Sequence, residues 1–128
     1  MQILGTGVDI IENSRIKKLL MNKNFIKKIF STNEILISKK VKNKTAYYAK
    51  RFAAKEAFAK SIGTGFRNGL SFKDVSIVNN KIGKPSFTIN NKIKKIIKKL
   101  FKTPYFDFFL SISDEKKYSI AFVILQKK

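Results

Sequence analysis

The stretch Arg51-Phe52-Ala53-Ala54-Lys55-Glu56-Ala57-Phe58-Ala59-Lys60-Ser61-Ile62-Gly63 decides the fold. Ala, Lys and Glu are strong helix formers, and Gly63 is suited to end a helix in the left-handed C′ position. Continued backwards, the pattern predicts one long helix from about Thr45 to Ile62. Projected at 3.6 residues per turn, Ala46, Ala49, Ala53 and Ala57 share a face with Glu56 and Lys60. Tyr47, Ala54 and Phe58 form a second apolar stripe. A helix that is apolar on two sides belongs at the centre of its domain. Glu56 and Lys60 stand at i, i+4, where the plain reading is a solvated helical ion pair of little worth. The alanines argue for more. Small side chains let another backbone come close, and a carboxylate that loses its water there needs a cation.

The matching surface lies at the start of the chain. Gln2 to Ile11 reads as a strand with Ile3, Gly5, Gly7, Asp9 and Ile11 on one face and Leu4, Thr6, Val8 and Ile10 on the other. Glycines weaken a strand and mark close approach by another backbone. Packing glycine against alanine would bring Asp9 and Glu56 together at one end of the contact, as a two-carboxylate site. The alternative for Asp9 is a capping or turn residue at the end of the strand.

Three short helices are expected next. Asn13 or Ser14 caps the first, which carries Arg15, Ile16, Leu19 and Leu20. Asn24 caps the second, running to Phe30, and the capping box Ser31-Thr32-Asn33-Glu34 opens the third. Beyond the long helix, Gly63 to Leu70 is a glycine-bearing loop. By itself it reads as a plain turn, but just after Lys60 and containing Arg67 it is a candidate phosphate cradle through its backbone N–H groups. Asp74–Asn79 and Pro85–Ile89 read as a hairpin, and Asn91–Phe101 as an amphipathic helix. Phe106–Ser113 and Tyr118–Leu125 read as a second hairpin around the Ser113–Lys117 turn. The result is an α+β fold, a largely antiparallel sheet packed on one long central helix, with a single domain over residues 1–128.

Composition narrows the chemistry. Cysteine and histidine are absent, which removes disulfides, thiolate metal sites and a histidine base. No apolar run is long enough for a membrane span and no signal peptide pattern stands at the start, so a cytoplasmic location without membrane attachment is expected. The net charge is +20, from 28 Lys+Arg against 8 Asp+Glu. Such a balance suits an anionic partner, although a chain rich in Lys, Asn and Ile is also what an AT-rich coding sequence produces. With so few carboxylates, Asp9 and Glu56 stand out.

The run Arg51 to Ala57, with Lys60 and Gly63-Thr64-Gly65 after it, resembles the signature of the holo-[acyl-carrier-protein] synthase family, the small phosphopantetheinyl transferases. Gly7-Val8-Asp9-Ile10-Ile11-Glu12 is similar to the family's first motif, and Gly83-Lys84-Pro85 also matches. The likeness runs in register over almost the whole chain. It implies the 4′-phosphopantetheinyl transferase-like fold and a homotrimer with sites at subunit interfaces. It further implies transfer of 4′-phosphopantetheine from coenzyme A to a serine of apo acyl carrier protein, for fatty acid biosynthesis, leaving 3′,5′-ADP.

On that resemblance Asp9 and Glu56 hold Mg²⁺, which favours one or two carboxylates with waters and phosphate oxygens. Lys60 steadies a phosphate oxygen, and Glu56, directly or through a water on the metal, takes the serine proton. Arg51, Gly63, Gly65, Arg67, Lys84 and Pro85 are the further coenzyme A candidates, and Arg15, Lys17 and Lys18 face the acidic carrier protein. One departure stands out. Many members carry a histidine near the last hairpin, where Phe109, Ser113 and Asp114 stand here. The competing reading is a basic nucleic-acid-binding module without catalysis. The lysines, however, are spread over every segment, and no nucleic-acid-binding motif appears. A catalytically dead scaffold subunit is disfavoured because both carboxylates remain.

Overall fold

The computed structural model describes residues 1–128. In chain order the elements are β1 (Gln2–Glu12), α1 (Asn13–Leu19), α2 (Lys23–Ile29), α3 (Thr32–Ser38), α4 (Lys44–Ile62), a 3-10 turn (Phe72–Asp74), β2 (Ser76–Asn79), β3 (Pro85–Thr88), α5 (Asn91–Phe101), β4 (Phe106–Asp114) and β5 (Tyr118–Lys127). A three-stranded antiparallel sheet has the order β1-β5-β4, and β2 and β3 form a separate hairpin. This is the expected α+β architecture with one long helix against the sheet.

α4 is the axis of the domain. Asn43 caps it through the Ala46 N–H at 3.0 Å, and Gly63 ends it at φ 92°, a left-handed conformation open to glycine at little cost. Ala49, Ala53 and Ala57 are buried in a core cluster with Phe30, Tyr47, Tyr48 and Ile77. Phe58 and Ile62, further along the same helix, belong to a second cluster with Val75, Ile93, Ile97 and Leu125. α4 therefore joins the two halves of the core. β5, the middle strand, buries Ser119, Ala121, Val123 and Leu125 toward it in strict alternation.

The glycines of β1 do what the sequence suggested. A Cβ built on Gly7 would overlap the Ala57 carbonyl oxygen, and one on Gly5 would overlap that of Ser61. Strand and helix backbones thus touch directly. The expected face pattern breaks at one place. The pairing shifts between Ile3 and Gly5, a bulge that turns Leu4 toward the core and leaves Ile3 in solvent. An extra residue reverses the alternation beyond it.

Three local expectations are corrected. Neither Asn13 nor Ser14 caps α1. Its N-cap is Glu12, without a side-chain bond, and Asn13 instead donates to the carbonyls of Glu115 and Lys116 at 3.0 and 3.2 Å and accepts from Ser119. It pins the β4–β5 turn to the end of β1. α2 is capped by Asn22, not Asn24. The strand expected from Asp74 begins at Ser76, because Asp74 closes the preceding 3-10 turn with Ser71. The capping box of Ser31 and Glu34 is present. No helix is long and apolar enough to cross a membrane.

The close approach sets a stability test. Gly7→Ala forces β1 away from α4 and should cost about 1–3 kcal/mol, as overpacking does. Urea unfolding at fixed pH measures it. Thr6→Ala, on the exposed face of the same strand, should change stability far less.

Candidate active site

Asp9 lies in the middle of β1, one of the residues facing α4, and is not a turn or cap residue. Because Gly7 admits the helix backbone, the turn of α4 carrying Glu56 and Lys60 stands over Asp9. Lys60 Nζ lies 3.2 Å from Asp9 Oδ1 and donates to the Val8 carbonyl at 2.9 Å. The plain i, i+4 pair is therefore absent. Lys60 reaches across to the strand, and the half-buried Glu56 carboxylate has no ion pair.

The electrostatics follow. Burial pushes the Glu56 carboxyl above its ordinary pKa, and the Asp9 charge pushes the same way against Lys60. Burial also raises Asp9, opposed by its bond to Lys60 and by the charges of Lys60 and Arg15. Two carboxyls both raised by burial, one of them further by its neighbour's charge, make a site that favours positive charge. No third acidic, histidine or cysteine side chain joins them. A pair of oxygen donors without nitrogen or sulfur fits a hard cation such as Mg²⁺, which completes its octahedron with waters and phosphate oxygens.

A second group forms elsewhere. Arg51 is 140° from Glu56 around α4 at about 100° per residue. It is buried, with its guanidinium 3.7 Å over the Tyr47 ring and bonded to Asn79 Oδ1 at 2.6 Å. Its Nε has no partner. It forms the floor of a small cleft of about 130 Å³ with Asn79, Gly83, Pro85, Ile112 and Asp114. This cleft is at the β4 edge of the sheet, whereas Asp9 is on β1, with β5 between. Two strand spacings separate the edges by about 10 Å. One chain thus carries the carboxylate pair and the arginine cleft on different sides of α4.

The remaining expected residues sit around these groups. Gly63 and Gly65 have positive φ and open space around them, and Arg67 is exposed on the same loop. Lys84 is exposed beside the arginine cleft. Arg15, Lys17 and Lys18 are exposed on α1, with Lys17 lining a polar groove of about 520 Å³ that runs to Asn43 and Asp114. Ser113 and Asp114, in the region of the expected histidine, lie at the end of β4, and Asp114 borders both clefts.

One pair was missed by the sequence reading. Lys55 and Glu34 are both fully buried and lie 2.8 Å apart. Lys55 also donates to the carbonyls of Phe72, at 3.0 Å, and Val75. Glu34 accepts from the N–H groups of Ser31 and Ile77 at 2.9 and 3.0 Å. The signal was present, since Lys55 falls among Tyr48, Arg51, Phe58 and Ile62 on a helical projection. A lysine on an apolar stripe calls for a buried anion.

The chain as a whole is similar to known proteins. Residues 5–123 match the 4′-phosphopantetheinyl transferase superfamily. The holo-[acyl-carrier-protein] synthase of Pelagibacter ubique is 66% identical over 128 residues, covering all of both chains. The crystal structure of holo-[acyl-carrier-protein] synthase from Neisseria meningitidis superposes with a TM-score of 0.87 at 36% identity, covering 98% of this chain and 99% of that one. A holo-(acyl-carrier-protein) synthase from Bacillus anthracis, in complex with CoA (3′,5′-ADP), superposes at 0.83 with 35% identity over the whole of both chains.

The raised Glu56 pKa predicts a pH dependence of stability. The folded carboxyl holds its proton at pH values where the unfolded one has lost it, so stability falls as pH rises from the ordinary glutamate value, about 4.3, through the raised one. Glu56→Gln removes that penalty. In metal-free buffer it should melt above the unsubstituted chain at pH 7 and level with it near pH 4. Thermal scans with a chelator present check this.

Proposed function

Because this chain belongs to the 4′-phosphopantetheinyl transferase superfamily, we propose that it moves 4′-phosphopantetheine from coenzyme A to a serine of apo acyl carrier protein, in the service of fatty acid biosynthesis. The observation that carries this is the meeting of Asp9, Glu56 and Lys60 where β1 and α4 touch. The competing reading, a nucleic-acid-binding module, gains no support from the relatives, whose likeness spans the full chain.

In this chemistry the serine oxygen attacks the phosphorus that carries the pantetheine arm. The bond from that phosphorus to the bridging pyrophosphate oxygen breaks, and 3′,5′-ADP leaves. Glu56 suits the removal of the serine proton, because desolvation raises its basicity toward the working pH. Lys60 already spans the gap to Asp9, and its ammonium is placed to hold a phosphate oxygen as charge moves to the leaving group. Asp9 and Glu56 are the residues that would hold Mg²⁺, which when bound supplies neutralisation of the pyrophosphate charge. The loop of Gly63, Gly65 and Arg67 offers backbone N–H groups and a guanidinium to the phosphates. Arg51, Lys84 and Pro85 offer a second contact zone for coenzyme A.

These two zones lie on different sides of α4, and a homotrimer would set one protomer's carboxylates beside its neighbour's arginine cleft. Supporting an assembly, the outer sheet face is apolar and open. Ile10 is 61% exposed, Val8 50%, Phe109 49% and Phe122 43%. A contiguous apolar patch on an otherwise basic chain marks a protein interface. The exposed Arg15, Lys17 and Lys18 provide the basic surface for an acidic carrier protein. We take residues 1–128 to act as one domain, in the cytoplasm.

Two experiments test the reading. Incubation of apo acyl carrier protein with coenzyme A, Mg²⁺ and the protein should add the mass of one phosphopantetheine, and Asp9→Ala should abolish the shift while leaving the melting curve cooperative. Full activity of Asp9→Ala at ordinary Mg²⁺ would remove Asp9 from the site. Light scattering should give three times the chain mass, and Phe122→Glu should reduce the assembly to monomers with loss of turnover. An active monomer would exclude a shared site.

A further inference from the structure

Nothing in the transfer chemistry itself calls on the Lys55–Glu34 pair, yet it is the most completely bonded charged group in the molecule. Each ammonium hydrogen of Lys55 has an acceptor: Glu34 Oε1, the Phe72 carbonyl and the Val75 carbonyl. Each oxygen of Glu34 has a donor beyond Lys55 or in addition to it, from Ser31 and Ile77. The pair ties α4 to α3, to the 3-10 turn and to β2.

Its direction matters more than its strength. Lys55 and Ala57 are two residues apart, so they stand about 160° apart around α4. Ala57 is the residue whose carbonyl meets Gly7 of β1. The helix is thus held on opposite sides by contacts of different kinds. On the β1 side glycine packs against small residues, and the one side-chain tie, from the long and exposed Lys60 to Asp9 and the Val8 carbonyl, fixes distance more than rotation. The Lys55 side is a set of charge-assisted hydrogen bonds, which are directional. Rotation of α4 about its axis is therefore set mainly from the back, and Glu56, the next residue, inherits that setting.

We propose that Lys55, through its buried pair with Glu34, is a positioning residue that fixes the rotation of α4 and with it the placement of Glu56 opposite Asp9. This rests on the reading of Glu56 as a site residue given above. The leverage is large. The end of a helical side chain lies about 5–6 Å from the axis, so a rotation of 10° moves a carboxylate by about 1 Å. Displacements of that size are worth about 10²-fold in rate.

The test must separate positioning from stability. Lys55→Met alone leaves Glu34 buried without its cation and should lower both the melting temperature and turnover. The double variant Glu34→Leu/Lys55→Met removes both charges, and replacing a buried ion pair by apolar groups is often neutral for stability. It should recover most of the melting temperature. Turnover of acyl carrier protein should nevertheless stay about 10²-fold down, and Mg²⁺ binding, measured calorimetrically in the presence of coenzyme A, should be weakened. A crystal structure of the double variant should show α4 rotated about its axis and the Asp9–Glu56 separation changed. Should the double variant regain turnover and Mg²⁺ affinity together with its melting temperature, the pair is structural only and the proposal fails. Should the double variant remain as unstable as the single one, Lys55→Arg supplies the second arm. It keeps the charge with a different reach, so it should fold near normally yet bind Mg²⁺ more weakly, and normal affinity there overturns the proposal. Failure of the functional reading is distinct, because the unsubstituted protein would then show no transfer at all.

Discussion

The meeting of Asp9, Glu56 and Lys60 depends on two backbones touching. β1 and α4 approach until Gly7 lies against Ala57 and Gly5 against Ser61. Ordinary side chains at those strand positions would hold the helix off by the width of a methyl group or more. Close packing of this kind leaves little room for water. Asp9 and Glu56 are partly desolvated there together, with the bridge from Lys60 to Asp9 as the nearest compensation. The cluster's appetite for positive charge is a consequence of geometry before it is a matter of residue type.

The molecule handles its buried charge pair and its half-buried carboxylates in opposite ways. In the core, Glu34 and Lys55 saturate each other and their neighbours, so that neither oxygens nor ammonium hydrogens are left over. Taking away one partner of such a pair costs about 3–5 kcal/mol. At the sheet edge, Glu56 is left without a cation of its own and Asp9 shares Lys60 with a carbonyl. The saturated group holds position, and the unsaturated group is free to accept something from outside. Arg51 stands between these extremes, stacked on Tyr47 with one nitrogen unpartnered beside a cleft.

Much of the fold was legible because local signals and global packing agree. The helix Asn91–Phe101 was read to the residue, since Ile93, Ile96 and Ile97 recur at helical spacing; in the structure Asn90 caps it. The alternation of β5 and the glycine–alanine match of β1 with α4 were legible for the same reason. The misreadings came where a long-range partner overrode a local rule. Asn13 has the right side chain to cap α1, but the turn at Glu115 and Lys116 offers it more bonds. Lys60 has Glu56 one turn away, yet the Val8 carbonyl and Asp9 draw it to the strand. The bulge at Leu4 left no composition signal, because Ile3 and Leu4 are equally apolar. The separation of Arg51 from Glu56 was hidden too, because they are close in the chain and far apart around the helix.

The order of strands carries a consequence for the birth of the protein. β1 is made first, but its sole partner in the sheet is β5, the last strand in chain order, and the side chain that locks the β4–β5 turn is Asn13. A ribosome adding about 5–20 residues per second releases β1 several seconds before its partner exists. During that interval α4 can coil and its pair with Glu34 can form, but Asp9 rides on a strand with no neighbour. The meeting of Asp9 with Glu56 and Lys60 therefore comes into being at the end of synthesis. A chain stalled before β5 would carry the long helix but not the paired strand that sets Asp9 opposite it.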